Sequence, residues 1–378
     1  LPIADRLLRD APGEHALLDW SNELVLHVIE IKNPRPVASL SLLPEAFHAE
    51  IMQINQLLET HNARLMPGAM HPWMNPKTET QLWPHDNHAI YRAYDRIFDS
   101  KSHGWANLQS MHINLPFAGD EEFARLHAAI RLILPILPAL AASSPIADSM
   151  NTGYADYRMQ VYCDNAQAIP SIAGMVIPET ITSRTAYEQR ILAPMYRDIA
   201  PHDPEKVLRQ EWLNSRGAIA RFDRNAIEIR VIDTQEYPHA DLAIAAATTA
   251  AVEMLYSGQI ASLVEQQEMT TKALAVILRD CLHNAELTVL DNATYLRLLG
   301  FPSSRCEARE LWQYLVERMP KDDTQQWRAP LETILRQGTL ARRILRALGD
   351  DYSHARLHAV YRKLCDCLHE GRMFEGAM

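Results

Sequence analysis

A glutamate and an arginine two residues apart, Glu228 and Arg230, form the most chemically suggestive pairing in the chain. They lie in Arg216–Asp233 (RGAIARFDRNAIEIRVID), where two β-rich runs flank the polar cluster Asp223-Arg224-Asn225 and read as a hairpin. Ile227, Ile229 and Val231 alternate with the two charged residues. Period-2 geometry therefore puts the carboxylate and the guanidinium on one face and the aliphatics on the other. A solvated cross-face ion pair gives this pattern. So does a metal-binding carboxylate beside a phosphate clamp, and the other polar segments must decide between the two.

Those segments are Glu23 and Glu30 in Glu23–Ile31 (ELVLHVIEI), His112 and Asn114 in Leu108–Phe117 (LQSMHINLPF), and Tyr157 and Arg158 at the end of the polar stretch Asp148–Arg158. Carboxylates with a single imidazole suit Mg2+ or Mn2+ better than zinc. Magnesium typically accompanies nucleotide phosphates, and arginines then neutralise the transferring phosphoryl group. Glu23 and Glu30 have opposite parity, so one regular strand cannot aim both inward. Either a bulge intervenes or Glu23 precedes the strand. Each residue also has a plainer reading. The glutamates suit the solvent face of an edge strand, His112 a hydrogen-bonded structural role, and Arg158 a stack on an aromatic ring. His71, His85, His88 and His103 raise a metal-dependent hydrolase as an alternative, although no H-E-x-x-H motif supports it. Walker, G-x-G-x-x-G and G-x-S-x-G motifs are absent.

The elements that must position these groups alternate between strands and helices. Glu23–Ile31 reads as a strand ending at Asn33-Pro34-Arg35-Pro36, and Leu108–Phe117 as a strand with one polar face. Helical spacing runs through Leu43–Leu65, Asn87–Phe98 and Glu121–Ala142, and the apolar run Ala128–Ala142 carries Pro135 and Pro138, so a kinked core helix is expected there. Asp148–Arg158 reads as a loop and Ala240–Gln267 as one long Ala-rich helix. Beyond Lys272 the patterns are helical: Ala273–His283, Glu307–Arg318, Leu331–Leu348 and His354–Glu370. The expected fold is one α+β domain with helices packed on one side of a largely antiparallel sheet. Residues 1–265 form its catalytic core and 272–378 a helical C-terminal portion.

Composition narrows the function. The 378 residues are 47% hydrophobic and 22% charged, an ordinary globular balance. A net charge of −10 argues against nucleic acid as a partner but leaves nucleotides open, because arginines and divalent cations reverse the field locally. Ala128–Ala142 is too short for a membrane span. Five scattered cysteines point to a reducing cytoplasm. Assembly of identical chains is left open.

Taken in order, five pieces carry a resemblance. They are ELVLHVIEIKNP (Glu23–Pro34), PGAMHPW (Pro67–Trp73), LQSMHINLPF (Leu108–Phe117), LPALAASSPIADSMNTGYADYRM (Leu137–Met159) and AIEIRVIDTQEYP (Ala226–Pro238). The chain resembles the glutamate–cysteine ligase type 2 and carboxylate–amine ligase family, within the glutamine-synthetase-like superfamily. The resemblance implies a sheet shaped as an active-site funnel and an ATP-dependent ligase. In such a ligase the γ-carboxylate of glutamate or a similar acid attacks ATP, and an amine, cysteine as first choice, displaces phosphate from the acyl phosphate. It implies Mg2+ or Mn2+ on Glu23, Glu30, His112 and Glu228. Arg230 becomes the ATP-phosphate clamp, catalytic together with Glu228, while Arg158, Tyr157 and Asn114 meet the amino-acid substrate.

An acyl phosphate forms only if two anions can approach, and fixed guanidiniums with divalent cations permit that. Water must also be kept out, and the loops His71–Pro84 and Thr152–Arg158 are candidate lids. One departure stands out. The family's first strand carries G-x-E-x-E, for which Gly13-Glu14-His15 is a poor match, so that strand is expected upstream of Leu1. A relative that binds nucleotide or amino acid without turnover is a third reading.

Overall fold

The structure is a computed structural model describing residues 1–11 and 17–376, without the side chains of 321–325. Gly13-Glu14-His15 lies outside the described residues. Helix α1 (Ala4–Arg9) precedes an antiparallel hairpin of β1 (Asp19–Asn22) and β2 (Ile29–Lys32). The strand expected over Glu23–Ile31 is therefore mostly a reversal, closed by a bond from Val28 N to Val25 O of 3.3 Å. Glu23 precedes the strand that carries Glu30, which resolves their parity conflict without a bulge.

Helix α2 (Pro44–Glu59) buries Ile51, Ile54 and Leu58, and α3 (His88–Phe98) follows the Pro- and Trp-rich segment. Strand β3 (Ser110–Pro116) leads into α4 (Gly119–Ile133). The apolar run continues through a tight turn at Leu134–Ile136 and a short helix at Pro138–Ala141. The missing amides of Pro135 and Pro138 break the helical ladder there, giving the expected kinked core element. Helix α5 (Tyr157–Asp164) begins where a loop was expected to end. The Asp156 side chain accepts a hydrogen bond from Met159 N at 2.9 Å, and this cap makes Tyr157 and Arg158 the start of a helix.

The hairpin of β4 (Ala218–Arg221) and β5 (Ala226–Asp233) turns where the sequence suggested, with Asn225 at φ 50°. β5 is the central strand of an antiparallel sheet ordered β3–β5–β4. Its aliphatic face, Ile227, Ile229 and Val231, is buried in the main core, to which α6 (Pro238–Tyr256) also contributes, and the strand packs against α4 and the short helix at Pro138–Ala141. The mixed α+β class and the antiparallel pairing match expectation. The sheet itself is small, however, and the β1–β2 hairpin stands apart from it.

The long helix expected over Ala240–Gln267 stops at Tyr256. Gly258 takes a left-handed φ of +72°, and a Ser262–Glu265 capping box starts a separate helix, Leu263–Glu268. Helices α7 (Thr271–Asn284), α8 (Ala308–Val316), α9 (Lys321–Gln337), α10 (Leu340–Leu348) and α11 (His354–Glu370) complete the C-terminal portion. Gly338, at φ +92°, divides the pattern read as continuous from Leu331 to Leu348. No helix among the described residues is long and apolar enough to cross a membrane.

Candidate active site

Glu228 sits at the centre of a charged knot. Its Oε1 accepts from Arg230 Nε (3.0 Å) and Nη2 (2.8 Å), and its Oε2 from Arg221 Nη1 (3.2 Å). His112 Nδ1 lies 3.5 Å from Oε1. Glu228 is only 4% exposed, so the pair is no solvated surface bridge. Burial alone would raise its pKa, but Arg230, His112 and Arg221 outweigh that and hold it at about 2. Arg230 Nη1 also donates to Asn214 O at 3.1 Å. Burial would ease proton loss from Arg230, yet Glu228 and Tyr162 keep it firmly charged.

His112 reaches this knot because the β3–β5 register shifts between Met111 and Ile113. Such an irregularity re-aims a side chain. Asn114 faces Glu228 across the strands as its register partner. The His112 Nε2 lies 2.9 Å from Ser110 Oγ. The imidazole is deep within the protein mass, which lowers its pKa; Glu228 opposes the drop and Arg230 supports it. Yet 36% of the side chain meets solvent, so the drop is smaller than sealing would cause, and the ring stays neutral at pH 7. A group that is deep and still wetted lies on the wall of a cleft.

The β1–β2 hairpin supplies the other wall. Ser21 is the register partner of Glu30, and both Ser21 Oγ (2.5 Å) and Lys32 Nζ (2.6 Å) bond Glu30 Oε2. Burial would raise Glu30, but Lys32 and Ser21 hold it below the ordinary carboxylate value. Glu23 is likewise deep but wetted. Burial and the Glu30 charge push its pKa up, against the pull of Lys32 and Arg230, by less than sealing would cause because the residue is exposed. Glu23, Glu30, His112, Glu228 and Arg230 thus stand close enough to act on one another's charge. The Glu23 turn is propped by the His71–Pro84 stretch through Leu26 N to Gln81 O and Trp83 N to Leu24 O, 2.9 Å each. That stretch in turn seats Trp73 against His354, His358 and Tyr361 of α11. It holds the wall in place and is a prop as the structure stands.

Arg158 stands near enough to His112 to act on its charge, but its side chain is sealed and its Nη2 has no hydrogen-bond partner among the described residues. It is 1% exposed, and its Nε pairs with Asp233, which is itself sealed. Asp233 Oδ2 also accepts from Ser143 N and Ser144 Oγ, 2.8 Å each. Tyr157 is half-buried beside Tyr154, and its charged neighbours are Asp148 and Asp164, none of the candidate set. The histidines scatter. His85 pairs with Asp5 (3.4 Å), His103 with Asp148 (3.2 Å), and His71 packs edge-on to Trp73. Among the described residues, no three of His, Cys, Asp and Glu are placed to hold a metal ion. A separate hollow of about 210 Å3, lined by Val276, Ile277, Asp280 and Asn292 among others, holds none of the candidates.

The sequence reading assigned no role to Arg221, Asp233, Tyr91 or Tyr94. Tyr91 OH accepts from Asn22 Nδ2 at 2.9 Å and lies near Glu23 and Glu30; Tyr94 lies near Arg230. Their i, i+3 spacing in a helix was the available signal.

With this geometry in place, comparison with known proteins decides the family. The sequence profile of glutamate–cysteine ligase family 2 matches residues 8–363. The chain belongs to that family. An uncharacterized protein of Archaeoglobus fulgidus is 37% identical over 252 residues, 65% of this chain and 67% of that protein. A Nocardioides protein provisionally named glutamate–cysteine ligase 2-1 is 29% identical over 144 residues, 38% of this chain and 34% of its own length. A Solibacter usitatus protein provisionally named glutamate–cysteine ligase 2 is 32% identical over 111 residues, 29% of this chain and 27% of its own. The chain thus spans about a third or less of these two provisionally named family members.

Proposed function

We propose that this member of glutamate–cysteine ligase family 2 is an ATP-dependent carboxylate–amine ligase. Its acid substrate is glutamate or a similar γ-carboxylate, and cysteine is the first amine to try. The reading is supported by one arrangement: carboxylates Glu23 and Glu30, neutral His112 and charged Arg230 stand close enough to act on one another's charge, with Glu23 and His112 open to solvent. That juxtaposition suits a polyphosphate with its cations at the acidic wall and its transferring phosphoryl group at the guanidinium.

The chemistry runs in two displacements. A carboxylate oxygen attacks the γ-phosphorus, the bond to ADP breaks, and an acyl phosphate forms. The amine nitrogen then attacks the acyl carbon, phosphate leaves with the C–O electrons, and the nitrogen loses a proton. Arg230 keeps N–H groups beyond those spent on Glu228 and Asn214, and these neutralise the phosphoryl oxygens.

Glu23, Glu30 and His112 are donor types that Mg2+ or Mn2+ accepts, but among the described residues they do not stand together as a metal-holding set. Glu228 fits less well, since both its oxygens are taken by guanidiniums. A divalent cation carried in on the phosphates would supply charge neutralisation for a triphosphate. The scattered histidines leave the hydrolase alternative without an assembled site among the described residues.

Hydroxylamine tests this directly, because it traps an acyl phosphate as a hydroxamate. With ATP, Mg2+ and glutamate, hydroxamate should accumulate in step with ADP. No hydroxamate from any amino acid in a panel, with ATP bound but intact, would point to a non-catalytic binder.

A further inference from the structure

Helix α3 carries two phenols three residues apart, one beside the carboxylates and the other beside Arg230. Tyr91 stands by the carboxylates and takes a hydrogen bond from Asn22. Tyr94 stands by Arg230 and Tyr162. The Tyr94 ring is fixed on three sides, by Phe98 (5.7 Å between centroids), Trp105 (5.0 Å) and Trp212 (6.1 Å). Its hydroxyl makes no hydrogen bond to any described residue, and the side chain is only half-buried. Its neighbour Tyr162 also has a hydroxyl with no hydrogen-bond partner among the described residues, whereas three other packed tyrosines spend theirs within the protein. Tyr187 OH serves Asn214 and Ala220, Tyr295 OH donates to Leu132 O, and Tyr314 OH to Gly300 O.

We propose that Tyr94 is an anion-binding residue of the cleft, its hydroxyl donating to a polyphosphate oxygen alongside Arg230. The identity of that anion rests on the ligase reading; the existence of the anion site does not. Burial keeps the phenol protonated against the pull of Arg230, so it remains a donor at any working pH. A locked ring brings the donor to the anion with little ordering cost, and a phenol beside a guanidinium gives a phosphoryl oxygen two converging N–H or O–H groups.

Tyr94→Phe keeps the ring that packs on Phe98, Trp105 and Trp212 and removes only the hydroxyl, so folding is expected to survive; its melting temperature checks this. Calorimetric titration with tripolyphosphate at fixed Mg2+ should show affinity lowered about tenfold in Tyr94→Phe, the worth of one hydrogen bond to a charged group. The KM for ATP should rise similarly, with kcat changed less. Affinity within twofold of the wild type overturns the proposal. So does a wild-type protein that binds no tripolyphosphate, and that result removes the ligase reading as well. Weakened tripolyphosphate binding in Tyr94→Phe, with no turnover in either protein, sustains the anion site and defeats only the ligase reading.

Discussion

Arg158, in the first turn of α5, and Asp233, the last residue of β5, form an ion pair with 2% and 0% of their side chains exposed. Two polar groups that the sequence separates widely thereby tie the helix to the end of the central strand. The charge of Arg158 is answered inside the protein, and this changes what its mutation should do.

Removing one partner of a sealed pair leaves an uncompensated charge, a cost of about 3–5 kcal/mol. Asp233→Asn should therefore lower unfolding free energy by roughly that amount in urea titrations. Arg158→Met should also destabilise the fold. A stable Arg158→Met protein whose only defect is a raised KM for the acid substrate would show that Arg158 serves the substrate instead.

The Glu228 knot behaves differently because it has a reserve. Arg230→Ala leaves Arg221 in place at 3.2 Å from Oε2, so Glu228 stays neutralised and the urea midpoint should move little. Turnover should fall on the order of 10²–10³-fold, the usual loss when a charge-stabilising donor is removed. Full activity in Arg230→Ala, or an unfolded protein, would place Arg230 in the scaffold.

His127 predicts a pH effect remote from the cleft. It is 2% exposed, neither ring nitrogen has a hydrogen-bond partner among the described residues, and burial together with Arg131 and Arg216 lowers its pKa to about 3. The unfolded chain takes up this proton near pH 6.5, while the folded chain refuses it until far lower. Stability is thus full above pH 6.5 and falls as pH drops through the window down to about 3. Between pH 6.5 and 4 the wild type should lose on the order of 3 kcal/mol more than His127→Phe in chemical unfolding. Parallel pH profiles for the two proteins would contradict this.

What the sequence revealed, and what it hid, has physical causes. β5 was readable because strict alternation leaves one face for the core and one for chemistry. Glu23 was left between two placements because Leu24–Val28 is as apolar and β-branched as any strand. The bond from Val28 N to Val25 O and the pairing with Gln81 and Trp83 show that it turns. The burial of Arg158 depends on Asp233, a partner that no local pattern announces. Tyr91 and Tyr94 were visible as an amphipathic helix, yet periodicity cannot say which face meets the cleft. Glycines 258 and 338 were marked in the sequence, but their left-handed conformations outweighed the helical pattern around them.

The central claim is that Glu23, Glu30, His112 and Arg230 serve one cleft that couples ATP cleavage to amide formation. Its most direct test is ADP release with ATP, Mg2+, glutamate and a panel of amines that includes cysteine. The account predicts stoichiometric ADP, phosphate and amide only when acid and amine are both present, with the signal lost in Arg230→Ala. Amide formation without ATP, or ADP release indifferent to both substrates and to Arg230, would contradict it.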